Sequence, residues 1–210
     1  MSNIAHKDEF IEIPSEAITV LTLNVEPLTM TEEQFYELCR ANRELRLERS
    51  PRGALIIMAP AGSETGARNA SIVGQLWLWN EQNRLGVIFD SSTGFRLPNG
   101  ANRSPDAAWI AQARWDALLP AQKRRFAPIC PDFVIELRSP TDDLKPIQEK
   151  MHEYIANGAG LGWLLDPIAR RVEIYQPDEE VETLINPKTL SGEPILPNFH
   201  LDISRVFKQY

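Results

Sequence analysis

A short apolar run between two prolines constrains this chain more than any other stretch. Residues 131–140 read Pro-Asp-Phe-Val-Ile-Glu-Leu-Arg-Ser-Pro, a pattern typical of a strand that is buried on both faces. Glu136 interrupts the run and Arg138 follows two residues later, so both side chains are predicted on the same face. A buried carboxylate is costly unless it is paired or binds a metal ion. Glu136 therefore indicates either a functional site or a structural ion pair with Arg138.

The composition is that of an ordinary globular protein. The 210 residues are 43% hydrophobic and 24% charged, enough for one large domain or for a domain with an arm. Cys39 and Cys130 have no metal-ligand spacing and favour a reducing compartment. Residues 1–16 lack the apolar core of a signal peptide, and no run is long enough to span a membrane. We therefore expect a flexible arm at 1–16, a single domain over 17–210 with its core at about 43–176, and a cytoplasmic location.

The charge balance bears on possible partners. The net charge is −7 and the pI is about 5.1, which argues against tight nonspecific binding of nucleic acid, because phosphate contacts need Lys and Arg. An acidic total still permits a local basic surface, for which the candidates are Lys123, Arg124, Arg125, Arg96, Arg103 and Arg138. The loop at 60–66 lacks the lysine and the glycines of a phosphate-binding loop. No organic cofactor is expected.

Hydrophobic periodicity and turn signals predict a mixture of helices and strands. Apolar spacing and capping residues predict helices over 31–41, over roughly 67–83 and over 146–158, with a short helix within 115–125. Strands are predicted over 17–25, 43–49, 54–59, 87–90, 94–97, 106–111, 132–138, 161–165 and 172–175. The helix after Pro146 would link its two flanking strands in a βαβ crossover. This order predicts an α/β (α+β) fold in which helices flank a mixed central sheet.

Two carboxylates are placed to converge on this sheet. If the strands at 106–111 and 132–138 are neighbours, Asp106 at the start of one approaches Glu136 in the other. Asp132, which begins the second strand, is a third acidic residue. Two carboxylates suit a hard divalent cation such as Mg²⁺, which keeps several waters. Such an ion can activate water and stabilise charge on a phosphodiester.

A lysine near such a pair could orient the nucleophile or offset negative charge. Lys150 borders the apolar stripe of the helix after Pro146. It either leans towards the sheet or extends to solvent from the edge of that stripe, and the spacing alone leaves both alternatives open.

Four stretches together resemble a large bacterial family of putative restriction endonucleases, itself similar to the PD-(D/E)XK nuclease superfamily. They are residues 103–110, 131–140, 148–158 and 162–167, within a resemblance that spans about 28–180. The resemblance implies a restriction-endonuclease-like core preceded by an N-terminal helix and β-hairpin. It also implies Mg²⁺-dependent hydrolysis of phosphodiester bonds in DNA, with Mn²⁺ as a substitute. A homodimer is implied as well, with the contact supplied by 17–25 or by the tail.

The resemblance also implies roles for particular residues. Asp106 and Glu136 match the acidic residues of the motif, which are catalytic and hold the metal. The motif lysine would fall at Arg138, so Lys150 is the implied replacement and third catalytic residue. Glu48 matches a recurrent acidic residue of the hairpin and is an auxiliary residue. Arg138 is a second auxiliary residue. Because arginine does not act as a base as lysine can, an inactive nucleic-acid-binding or protein-interaction domain stays the alternative to a nuclease.

Overall fold

The computed structural model describes residues 20–208 as helices arranged around two main sheets. Helices α1 to α5 span, in chain order, Glu32–Ala41, Ser63–Asn83, Gln112–Asp116, Pro120–Lys123 and Leu144–Ala156. Strands β1 to β13 span Val20–Leu23, Arg46–Arg49, Leu55–Met58, Gly86–Asp90, Phe95–Arg96, Asn102–Arg103, Ala107–Ala111, Phe133–Leu137, Leu161–Asp166, Arg171–Tyr175, Glu182–Ile185, Thr189–Ser191 and His200–Asp202. The predicted arm at 1–16 lies outside the described residues and stays a prediction.

The six-stranded sheet carries the predicted βαβ crossover. Its strand order is β11-β10-β9-β8-β7-β4. β8 lies parallel to β9, and α5 joins them, whereas the other neighbours in this sheet are antiparallel. The prediction of a mixed α+β fold is therefore confirmed. Ala107 pairs with Ile135, so the start of β7 lies beside the end of β8, which is the arrangement that the two carboxylates require.

Alternation along β8 sends its side chains to two different hydrophobic clusters. Phe133 and Ile135 join one cluster with Ile72 of α2. Val134 joins a second cluster with Met151 of α5. The sheet therefore lies between α2 and α5, and the period of two places Glu136 on the α5 side.

The five-stranded sheet contains the predicted hairpin, in the order β1-β3-β2-β6-β5. α1 covers it through Phe35, which packs with Leu47 and Leu55. The predicted N-terminus of α1 is confirmed, because Thr31 and Gln34 form a capping box. β12 and β13 form a separate two-stranded sheet. Within residues 20–208, no helix is both apolar and long enough to cross a lipid bilayer.

Candidate functional site

A cluster of buried acidic residues lies where the two main sheets meet. Glu48 comes from β2, Asp106 directly precedes β7 and Glu136 lies in β8. These residues are only 2%, 8% and 6% exposed, respectively. Lys150 and Tyr154, one turn apart on α5, extend to the same place. The structure therefore brings together the residues that the sequence placed on a hairpin, two strands and a helix.

Lys150 joins two of the acidic residues. Its Nζ lies 2.7 Å from Oε1 of Glu48 and 2.8 Å from Oε1 of Glu136. The hydroxyl of Tyr154 donates to the same oxygen of Glu136 at 3.0 Å. The lysine side chain is 12% exposed, so it leans towards the sheet rather than out into solvent.

Asp106 is held by a different set of donors. Its Oδ2 accepts a hydrogen bond of 2.8 Å from the backbone N–H of Leu137 at the end of β8. Its Oδ1 accepts from Nη1 of Arg46 at 3.2 Å and from Nδ2 of Asn69 at 3.4 Å. Arg46 also donates to the carbonyl of Ser104 at 2.7 Å. These contacts fix the orientation of the Asp106 carboxylate beside β8.

Glu48 has a second cationic partner. Nη1 of Arg103 lies 3.0 Å from its Oε2, and the backbone N–H of Ser104 donates to its Oε1 at 2.9 Å. Arg103 also pairs through Nε with Glu153 at 2.5 Å, and its side chain is 11% exposed. Arg103 is therefore committed to this buried network, and its place in a local basic surface is contradicted.

Other members of the predicted basic surface also pair with acidic residues. The pairs are Arg96 with Glu32, Lys123 with Asp116, Arg125 with Glu33 and Arg138 with Asp166. These ion pairs reduce the positive charge that the side chains could offer to a phosphate.

The two glutamates on either side of Lys150 differ in their ionisation. Burial, together with the neighbouring charges of Asp106 and Glu48, raises the pKa of Glu136 to about 7, although Lys150 opposes this shift. Burial would also raise the pKa of Glu48, but Lys150 and Arg103 outweigh it and lower the value to about 2. Near neutral pH, Glu48 is therefore ionised, whereas Glu136 is only partly ionised.

Lys150 is an ammonium in this setting. Burial alone would lower its pKa, but the charges of Glu136 and Glu48 raise it above the usual value for lysine. Lys150 therefore acts as a hydrogen-bond donor and positive charge at neutral pH, and not as a proton acceptor.

The carboxylate and amide oxygens of this site fit a magnesium ion that keeps much of its hydration shell. Within residues 20–208, no group of three or more His, Cys, Asp and Glu side chains is placed to hold a metal ion by itself. Mg²⁺ typically binds one or two protein carboxylates and several waters. Asp106 and Glu136 can supply the two carboxylates. Beside them, Oδ1 of Asn69 is buried without a hydrogen-bond partner and is a further oxygen of the kind that Mg²⁺ prefers.

Two residues singled out from the sequence lie outside these contacts. Nη1 of Arg138 lies 2.8 Å from Oδ2 of Asp166, and its Nε donates to the carbonyl of Asp142. Asp132 lies at the opposite end of β8 from Glu136. It accepts hydrogen bonds from the backbone N–H of Ala111 and from Arg114, so it organises the start of the strand.

Three residues of the site, Arg46, Asn69 and Tyr154, were not predicted from the sequence to take part in it. Arg46 precedes Glu48 by two residues in the same strand, and this spacing was the available signal. Tyr154 is part of the apolar stripe of α5, and its sequence position does not show where its hydroxyl points. Asn69 lies on α2, far away in the chain, and no pattern indicates its contact with Asp106.

Comparisons with known proteins agree with this architecture. The model of the Uma2 family, described as "Putative restriction endonuclease", matches residues 32–204. No curated protein matches the chain. Among solved structures, the chain is similar to a crystal structure of a putative nuclease from Anabaena variabilis ATCC 29413, with a TM-score of 0.64 and 20% identity over 77% of this chain and 89% of that one. At this identity, the similarity shows the fold. Because the family model covers most of the sequence, this chain belongs to the Uma2 family of putative restriction endonucleases.

Proposed function

We propose that this protein is a Mg²⁺-dependent endonuclease that hydrolyses phosphodiester bonds in DNA. Asp106 and Glu136 hold the metal, Lys150 assists catalysis and Glu48 is auxiliary. The observation that carries the proposal is the position of the Lys150 ammonium, 2.8 Å from a buried carboxylate on a strand that adjoins Asp106. The family description supports nuclease chemistry, and the site supplies the residue types which that chemistry needs.

The side chains divide the work of hydrolysis. A bound Mg²⁺ would supply an activated water and stabilise the charge that develops on the phosphate. Lys150 offers a fixed positive charge to the same transition state. Tyr154 orients Glu136, while the N–H of Leu137 orients Asp106, so both carboxylates are held in place before substrate arrives.

The substrate, the alternative metal ion and the oligomeric state are proposed from the family to which the chain belongs. The substrate is DNA, Mn²⁺ substitutes for Mg²⁺, no organic cofactor takes part and two copies act together on the two strands. The description of the family as putative restriction endonucleases supports DNA as the substrate.

A specific observation favours a second candidate, an inactive nucleic-acid-binding or protein-interaction domain. The carboxylates of the site already have cationic partners, with Arg46 on Asp106 and Lys150 on Glu136. In a structural role these ion pairs would persist, and no metal would enter.

Cleavage of supercoiled plasmid separates the two candidates. Wild-type protein and Asp106→Asn are incubated with plasmid in Mg²⁺, in Mn²⁺ and in EDTA. Asp132→Asn is the matched control, because it is the same substitution at the opposite end of the same pair of strands. We expect nicked or linear plasmid only with metal, from wild type and Asp132→Asn but not from Asp106→Asn. Cleavage that survives Asp106→Asn would refute the proposed site, and no cleavage by wild type would favour the second candidate.

A further inference from the structure

We propose that Arg46 has two partners in the working cycle of this site. In the metal-free protein it holds Oδ1 of Asp106, and in the metal-bound protein it releases that oxygen and contacts a phosphate of the DNA backbone. Arg46 is thus a positioning residue that couples metal binding to DNA binding. This inference rests on the proposed function.

Arg46 contacts the oxygen of Asp106 that a metal ion would need. Oδ2 of Asp106 accepts a hydrogen bond of 2.8 Å from the backbone of Leu137, which fixes it against β8. The donors on Oδ1, from Arg46 and Asn69, are side chains that can move, whereas the donor on Oδ2 is backbone, so Oδ1 is the oxygen through which Asp106 can ligate a metal ion directly. Arg46 occupies Oδ1 at 3.2 Å. A guanidinium and a divalent cation on one oxygen repel each other, so Arg46 must move when the ion binds.

The present position of Arg46 also leaves one of its hydrogen-bond donors without an acceptor. Its Nη1 and Nη2 contact Asp106 and the Ser104 carbonyl, but its Nε is buried without a hydrogen-bond partner. A buried unpaired donor is unfavourable, so a position of Arg46 that satisfies Nε would offset part of the free energy lost on leaving Asp106. Planar guanidinium groups bind phosphate through two parallel hydrogen bonds, which is the type of contact that would use Nε.

Arg46 is also more accessible to a substrate than the other cations of the site. The Arg46 side chain is 30% exposed, compared with 12% for Lys150 and 11% for Arg103. Arg103 is paired with two glutamates and Lys150 with two, whereas the only carboxylate bonded to Arg46 among the described residues is Asp106. Once Asp106 binds the metal, Arg46 is the cation of this group that loses its directly bonded carboxylate, although Glu136 and Glu48 are near, and a DNA phosphate would replace it.

Metal affinity gives the first test. Mn²⁺ binding is measured by calorimetry for wild type, Arg46→Gln and Arg114→Gln. Arg114 is the matched control, because it forms an arginine–aspartate pair with Asp132 at the other end of the same strands. We expect Arg46→Gln to bind Mn²⁺ about fivefold more tightly, since it removes a competitor for Asp106, and Arg114→Gln to match wild type. Equal or weaker binding by Arg46→Gln would overturn the inference, and Arg46→Met, which also removes the positive charge, serves if the glutamine variant does not fold.

DNA affinity gives the second test, which a purely structural role would not pass. Binding of a labelled duplex is measured in EDTA and in Ca²⁺, a hard cation with the same preference for oxygen ligands. In Ca²⁺, Arg46→Gln should bind roughly fivefold more weakly than wild type, with a salt slope smaller by about 1. In EDTA the variant and wild type should bind alike. An equal loss in both conditions, or none in Ca²⁺, would contradict the coupling.

The two levels of the account can be told apart. If wild-type protein binds no Mn²⁺, the proposed function and the role of Arg46 both fall. If wild type binds Mn²⁺ and Arg46→Gln leaves that affinity unchanged, the proposed function stands and only the role of Arg46 is lost.

Discussion

Glu48 and Glu136 have the same side chain and share one ammonium, yet their surroundings give them opposite pKa shifts. Glu48 has two cations and a backbone N–H, which lower its pKa to about 2. Glu136 forms an ion pair with Lys150 and lies near two other carboxylates, so burial prevails and its pKa rises to about 7. The carboxyl with the raised pKa therefore lies on the strand beside Asp106, where a bound metal ion would favour its ionised form.

Lys150 is predicted to matter for catalysis through its charge. Lys150→Met should lower the rate of metal-dependent DNA cleavage about 10²- to 10³-fold, because a fixed positive charge at the transition state is lost. Lys145→Met is the control, since that side chain lies on the same helix and is 85% exposed. Single-turnover rates with saturating enzyme measure the effect. A Lys150→Met rate within about threefold of wild type would exclude this role.

Asp166 is predicted to support the fold at neutral pH and to lose that effect in acid. Burial would raise its pKa, but the backbone N–H groups of Ile168 and Ala169 and the Arg138 guanidinium lower it below the usual value. A carboxyl with a depressed pKa contributes stability above its unfolded pKa of about 4, and this contribution disappears as pH falls through the lower folded value. Asp166→Asn should therefore cost roughly 1–3 kcal/mol at pH 7 and less near pH 3, below the unfolded pKa of about 4. Urea unfolding at both pH values tests this, and a cost independent of pH would contradict it.

At the scale of elements, the β8–α5–β9 crossover determines where the site lies. β8 supplies Glu136, and α5 returns across the same face of the sheet with Lys150. Gly162 of β9 leaves room for the Met151 side chain of α5, because a Cβ there would lie 2.5 Å from Cε of Met151. The helix is thus seated deeply enough for a lysine to reach a strand.

Two glycines in the central sheet should differ in their tolerance of alanine. A Cβ at Gly86 would lie 2.2 Å from the backbone oxygen of Ile110, which cannot move without breaking the sheet. At Gly162, the close neighbour is the flexible end of Met151. We expect Gly86→Ala to cost about 3 kcal/mol or more and Gly162→Ala about 1 kcal/mol. Chemical denaturation of the two variants measures the difference, and equal costs would mean that the strand at Gly86 shifts freely.

Local sequence patterns predicted the elements that carry their own signals. Thr31 and Gln34 predicted the start of α1, and the turn at 50–53 predicted the hairpin of β2 and β3. The start of α2 was wrong by four residues, because its N-cap is Gly62, which makes no side-chain hydrogen bond. A helix that begins without a capping side chain gives no local pattern to read.

The site was predictable to the extent that each side chain follows from its own element. Lys150 could be placed at the edge of its helix stripe, and Asp106 and Glu136 at facing ends of two strands. The alternation of side chains along the strand predicts Arg138 on the same face as Glu136. Its guanidinium instead forms an ion pair with the carboxylate of Asp166 on the next strand. The partner of a long side chain depends on strand order, which the sequence alone does not specify.

At the scale of the whole molecule, charge is distributed so that carboxylates and cations largely neutralise each other. The net charge is −7, and several of the basic side chains form ion pairs. Under the proposed function, contact with DNA would therefore depend on charge that becomes available on metal binding, as proposed for Arg46, more than on a broad basic face.

The homodimer implied by the resemblance remains a prediction. β1 lies at the edge of the five-stranded sheet, and all four of its residues, Val20–Leu23, are exposed. Such an apolar edge is suited to pairing with a second copy. Light scattering at tens of micromolar protein should give twice the 23.8 kDa mass of the chain, and Leu21→Lys should shift the value towards the monomer. A wild-type monomer at that concentration would count against the dimer.

The central claim is that Glu136 serves a metal-dependent nuclease and does more than stabilise the fold. Glu173 offers a matched control, because it is also a buried glutamate that accepts a hydrogen bond from a tyrosine hydroxyl, at 2.6 Å from Tyr175. It lies on β10, two strands away from Glu136. The most direct measurement is the single-turnover rate of duplex DNA cleavage in Mn²⁺ by wild type, Glu136→Gln and Glu173→Gln. We predict cleavage by wild type and Glu173→Gln and none by Glu136→Gln. Equal rates for the two glutamine variants would contradict the claim.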